Sequence, residues 1–199
     1  MSLKKATLVI TLILLIDQVS KIYIKTHFML GEEIRIFDWF RILFVENEGM
    51  AWGAKIPGSY GKLALTLFRL AAICGIGYWL WDSVQKNSPK LLTFCIALIF
   101  SGALGNIIDS VCYGIIFDDS NKHLATFLPE AGGYSSLFHG KVVDMLYFPL
   151  WKGYLPEWMP FWGGEYFTFF EPVFNIADAA ITIAVLLLIA YNKHVFPKD

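Results

Sequence analysis

Four stretches of the chain stay apolar over roughly the 20 residues that a bilayer crossing needs. They lie at about residues 6–24, 63–81, 91–109 and 174–191. The first begins like a secretory leader, with Lys4 and Lys5 ahead of an apolar run. No small-x-small cleavage site follows before Asp17 and Lys21, so it reads as a retained span. In the segment at about residues 26–62, IRIFDWFRILFVENEGMAWG alternates apolar and polar positions with the period of strands, which predicts a small sheet or cradle. The segment at about residues 110–172 is rich in Gly, Pro, Trp and Phe, as in MPFWGGEYFTFF, and reads as an interfacial belt rather than a soluble domain. The pattern predicts an all-α membrane protein. Its core is a bundle of four transmembrane helices with a small β-cradle and an interfacial loop segment, and residues 1–199 form one integral membrane domain.

Composition agrees. Hydrophobic residues make up 56% of the 199 positions and charged residues only 17%, below the roughly one-quarter of soluble domains. Seven tryptophans fit interfacial anchoring. A formal net charge of −1 gives no general affinity for nucleic acid. Cys74, Cys95 and Cys112 form neither a CxxC pattern nor an even set, and read as packing residues. Lys4, Lys5, Lys86, Lys90, Lys193 and Lys198 all fall on one side of the four-span arrangement. The positive-inside rule makes that side cytoplasmic, with both termini inside and the two longer segments outside.

Ionisable residues inside apolar spans are expensive and point to function. Asp17 and Lys21 are four apart on one helix face and can pair. GALGNIIDS closes the third span with Asn106 and Asp109 three apart, and FNIADAA opens the fourth with Asn175 and Asp178 at the same spacing. Both pairs fall at the outer leaflet, where Gly102 and Gly105 permit close helix approach. KVVDMLYFPLW adds Asp144 among apolar neighbours. Two carboxyls brought together near a low-dielectric surface cannot both ionise comfortably, so one becomes an acid and the other a base. Such a dyad can activate water against an amide and protonate the leaving amine without a metal or cofactor. Three acids compete for two seats: Asp109, Asp144 and Asp178. The repeated N-x-x-D spacing favours Asp109 with Asp178 and leaves the choice open.

Other chemistries find little support. There is no HExxH, and His27, His123, His139 and His194 are scattered without ligand spacing, so no metal site is expected. No GxSxG elbow or glycine-rich phosphate loop occurs.

Five ordered blocks, DQVSK, NEGMAWG, GALGNIIDS, KVVDML and FNIADAAI, run from the first span to the last. Together they resemble bacterial lipoprotein signal peptidase, the signal peptidase II family of inner-membrane aspartic proteases. The resemblance implies removal of the signal peptide from diacylglyceryl-modified prolipoproteins, N-terminal to the lipidated cysteine. It implies catalytic acids at Asp144 and Asp178, which displaces Asp109 to a supporting role. It also implies that Asp17, Lys21, Asn47, Gly49, Asn106, Asp109 and Asn175 surround the site. The implied partners are membrane lipids, the prolipoprotein substrates and globomycin-type peptide inhibitors, with the chain a monomer in the inner membrane and its site facing the periplasm. One departure stands out: family members usually carry arginine after the aspartate of the GN-x-x-D block, where this chain has Ser110.

Two rivals belong to other classes. A channel or transporter could use Asp17, Lys21, Asp109 and Asp178 as an ion path, but such a path spreads polar groups through the membrane, and these cluster at one end. A presenilin-type protease would need a Gly-x-Gly-Asp signature, which is absent.

Overall fold

The computed structural model describes residues 1–48 and 60–196. Gly49, named above as a site residue, lies outside the described residues. Among them, three helices are long and apolar enough to cross a membrane. These are α1 (Leu3–His27), α2 (Gly61–Gln85) and α3 (Lys90–Ile108). Helix α3 starts directly after Pro89, whose fixed φ suits a helix entry. It continues through a π-helical turn, Asp109–Tyr113, into the short α4 (Gly114–Ile116). Leu8, Leu12, Leu15, Ile16 and Val19 on α1 are exposed, an apolar face suited to lipid rather than water.

The helix in the fourth apolar stretch is shorter than the stretch itself. The helix there is α5 (Ile176–Ala190), only 15 residues, or about 22 Å at 1.5 Å per residue. That is short of the roughly 30 Å hydrocarbon core. The four-residue α6 (Asn192–Val195) follows it.

The all-α expectation is also too simple. Strands β1 (Glu33–Phe37), β2 (Phe40–Asn47), β3 (Val142–Tyr147) and β6 (Val173–Phe174) form one antiparallel sheet in the order β1-β2-β3-β6. The alternating stretch of the first segment gives β1 and β2. The central strand β3 comes from the second segment and is buried on both faces, so its run of apolar residues hides the period-two pattern of a half-exposed strand. Strands β4 (Trp151–Tyr154) and β5 (Tyr166–Phe169) make a separate hairpin. Its connection exposes Trp158 at 81% and Phe161 at 92%, so the belt predicted from composition is partly a projecting aromatic hairpin.

The sheet sits where α1 and α3 end and where α5 begins. A buried charge ties it down. Lys25 near the end of α1 has no exposed surface, forms an ion pair with Glu46 on β2, and donates to Ser120 Oγ at 2.7 Å. Its ammonium also lies 4.9 Å from the Tyr134 ring centre, a cation–π contact. Residues from the helix, the sheet and the segment after α4 are thereby fastened at one point.

Candidate active site

Each polar side chain reaches the site for a local reason. Asn175 is the N-cap of α5: its side chain accepts from the Asp178 N–H at 2.9 Å, while Asp178 accepts from the Asn175 N–H at 3.4 Å. This reciprocal box fixes both residues to the helix start and satisfies donors that would otherwise be orphaned. Asp144 stands on β3, 3% exposed, in register with Val45 of β2. Asn47, in register with Val142, shares that sheet face by the two-residue repeat, and its amide donates to the Asp144 carboxyl.

Two asparagines connect the acids. Asn175 Nδ2 donates to Asp144 Oδ1 at 2.7 Å and to Asn106 Oδ1 at 3.1 Å. Asn106 Nδ2 in turn donates to Asp178 Oδ1 at 2.7 Å. The chain of contacts runs Asp144, Asn175, Asn106, Asp178, so neutral amides set the positions of two carboxyls drawn from a strand and a helix. Burial pushes the Asp144 carboxyl up to about 8, and the nearby charge of Asp178 pushes in the same direction.

Behind the asparagines lies an ion cluster with no exposed side-chain surface. Lys21 Nζ meets Asp17 Oδ2 at 2.9 Å, Asp109 Oδ2 at 2.8 Å and Asn106 Oδ1 at 2.9 Å. An ammonium has three N–H donors, so its capacity is filled. Asp17 Oδ1 accepts from the Ala177 N–H of α5 at 2.9 Å, and Asp109 Oδ2 from the Val143 N–H of β3 at 3.3 Å. The cluster therefore holds the backbone immediately before each of Asp178 and Asp144. Close helix packing is required for this. A Cβ on Gly105 would lie 2.6 Å from Asp17 Oδ2, so α1 and α3 could not meet with any larger residue there without shifting.

Asp144 and Asp178 line one cleft of about 450 Å³ with Asn47 and Asn106, while Asp17, Lys21 and Asp109 do not line it. Its remaining wall is largely apolar, including Ala72, Ile73 and Ile76 of α2, Ile107 of α3 and Ile181 of α5. Among the described residues no group of acids, histidines and cysteines could hold a metal ion.

The sequence comparison decides the family. The profile of Signal peptidase (SPase) II matches residues 9–193. The chain belongs to the signal peptidase II family. It is therefore a peptidase. It is 48% identical over 194 residues to the lipoprotein signal peptidase of Porphyromonas gingivalis, covering 96% of this chain and 84% of the relative. The lipoprotein signal peptidase of Amoebophilus asiaticus is 38% identical over 182 residues, covering 89% of this chain and 73% of the relative. A solved bacterial membrane enzyme, determined by the in meso method, has the same fold with a TM-score of 0.63 at 24% identity, covering 99% of this chain and 93% of its own.

In this signal peptidase II chain the geometry brings together Asp144, Asp178, Asn47, Asn106 and Asn175, and sets Asp17, Lys21 and Asp109 behind them. Two polar residues went unremarked in the sequence. Gln18 Nε2 donates to Asp109 Oδ1 at 3.0 Å and its carbonyl accepts from Tyr113 at 3.1 Å, closing the ion cluster from the side. Arg69 lines the cleft from α2. A lone arginine within LALTLFRLAA carries the same signal of an intramembrane charge that drew attention to Asp17.

Proposed function

We propose that this enzyme cleaves the signal peptide from diacylglyceryl-modified prolipoproteins with Asp144 and Asp178 as its catalytic dyad. The observation that carries the reading is that these two carboxyls face one cleft, linked to each other through Asn175 and Asn106. Asp144, raised to about 8 by burial and by its neighbour, keeps its proton at neutral pH and is the acid. Asp178 is the base. Water attacks the scissile carbonyl carbon while Asp178 takes a proton from the water and Asp144 gives its proton to the carbonyl oxygen. When the tetrahedral species collapses, Asp178 protonates the departing amine. Asp144 recovers the hydroxyl proton, so both acids return to their starting states.

The cleft suits such a substrate because its polar end holds the dyad and its other walls are apolar. A peptide bond anchored to acyl chains can enter from lipid, and water can reach it from the sheet side. The four-span arrangement with α5 as the last crossing belongs to this reading, as do a periplasmic sheet and cytoplasmic termini. Lys4, Lys5, Lys86, Lys90 and Lys193 lie at or beside the helix ends opposite the dyad, which supports that orientation. The exposed aromatic residues of the β4–β5 connection would rest in the outer leaflet, and a globomycin-type peptide would compete for the cleft.

The test is direct. Detergent-solubilised protein is incubated with a lipid-modified prolipoprotein and release of the signal peptide is followed. Asp144→Asn and Asp178→Asn should each abolish release while remaining membrane-inserted, and EDTA should change nothing. Turnover by either variant would remove that residue from the dyad.

A further inference from the structure

Arg69 sits two turns into α2, half-buried, on the wall of the cleft and next to the face formed by Ala72, Ile73 and Ile76. Among the described residues that line the cleft it is the sole cation. The charge of Asp178 acts on it across the cleft. Yet no described residue accepts a hydrogen bond from its guanidinium, in contrast to the other partly or fully buried cations. Lys21 has three partners, Lys25 binds Glu46 and Ser120, and Lys62 binds Glu48. The turn after Asp109 offers no alternative cation. Ser110 there is fully buried and donates its hydroxyl to the Asn106 carbonyl at 3.0 Å.

A guanidinium presents five N–H donors in a rigid fork, and none of those of Arg69 is shut away from solvent in the open cleft. A chain that enters and displaces that water has to offer acceptors in its place, because donors left unmade there are costly. An extended peptide always brings main-chain carbonyl oxygens. We infer that Arg69 is a substrate-positioning residue, its guanidinium donating to main-chain carbonyl oxygens of the prolipoprotein beside the scissile bond. The inference rests on the reading that cleavage occurs at Asp144 and Asp178. It assigns to α2 a backbone contact that the Ser110 position cannot make.

Arg69→Gln and Arg69→Lys are compared with the parent enzyme, each first checked for unaltered thermal unfolding. Steady-state cleavage of a diacylglyceryl-cysteine prolipoprotein is measured from pH 5 to 9. Loss of charge-assisted hydrogen bonds should raise KM by roughly tenfold or more in Arg69→Gln, with kcat at neutral pH changed by less than about threefold. Arg69→Lys, a point charge without the fork, should recover only part of the loss. Should Arg69→Gln misfold, the lysine variant still carries the test, because it keeps the charge and removes the geometry. Unchanged KM in both variants overturns the inference. So does a shifted pH profile with unchanged KM, which would reduce Arg69 to a charge acting on Asp178. Binding of the same substrate to Asp144→Asn, with and without Arg69→Gln, separates the two levels. If Asp144→Asn still turns over, the dyad assignment fails, while the affinity comparison continues to report on Arg69.

Discussion

The ion cluster behind the site makes Lys21→Met the most informative perturbation of the fold. Methionine matches the length of the lysine stem and removes only the ammonium. Three contacts at 2.9, 2.8 and 2.9 Å disappear, and Asp17 and Asp109 are left facing each other with no exposed surface. Deleting one partner of a buried ion pair costs about 3–5 kcal/mol, because the remaining charge stays buried without compensation. For a chain of this size that corresponds to a fall of about 6–20 °C in Tm. The loss should be largely reversed by adding Asp17→Asn and Asp109→Asn, which removes the stranded charges. Thermal unfolding of the detergent-solubilised protein measures both, and cleavage at a temperature where all variants remain folded gives the functional side. Activity should fall in Lys21→Met, since Asn106 loses the partner that fixes its carbonyl while its amide positions Asp178. A Tm within about 2 °C of the parent would refute the reasoning, since a desolvated cluster cannot lose its cation so cheaply.

Two further outcomes follow from the geometry. In the proposed mechanism Asp144 is the acid and must be protonated, so kcat/KM should hold up to about pH 8 and fall roughly tenfold per unit above it. The same shift acts on stability: the folded state holds this proton more tightly than the unfolded state. Its contribution is complete below the ordinary value of 3.8 and is lost as pH climbs through about 8. Activity with no alkaline limb near pH 8, or stability that is flat across this window, would contradict the assignment. Separately, Gly105→Ala puts a methyl 2.6 Å from Asp17 Oδ2 and 3.2 Å from Ala177 Cβ. Overpacking of this kind costs about 1–3 kcal/mol. A fully stable, fully active Gly105→Ala would mean that α1, α3 and α5 do not need their close approach.

The sequence exposed most clearly those features that obey a local period or a local cost. Long apolar runs are read by length alone, and α1, α2 and α3 stand where those runs predict, with ends a few residues wider. The alternation that yields β1 and β2 is equally local. Strand β3 is hidden in the sequence because a central strand covered on both faces loses its alternation. The repeated N-x-x-D spacing had a real structural cause, since Asn106 and Asp109 both receive Lys21 and Asn175 and Asp178 cap α5. It does not put Asp109 on the cleft beside Asp178. Spacing along a helix says which side chains share a face, but not which end of that face is filled by another chain segment. Lys21, eighty-eight positions before Asp109 by their numbers, occupies that place. Asp144 stands among three competing acids until the motif resemblance favours it, and Arg69 is legible in principle as a charge in an apolar run.

The order of polar groups from the bundle toward the cleft has a physical logic. Formal charges stand deepest, in a cluster whose ammonium has every donor engaged and whose carboxylates grip backbone N–H groups of α5 and β3. Neutral amides come next. Asn106 and Asn175 each donate and accept at once, so they carry positional information outward without adding a charge beside the proposed dyad. The carboxyls come last, one buried enough to keep its proton and the other at the capped start of a helix. Had an acid replaced either asparagine, its repulsion would have acted on Asp144 and Asp178 together. Had an apolar residue replaced Asn175, the buried carboxyl of Asp144 would have lost a donor, and at Asn106 the loss would have fallen on Asp178. An amide is the side chain that couples the rigid cluster to the dyad while leaving the proton free to move between water, substrate and acid.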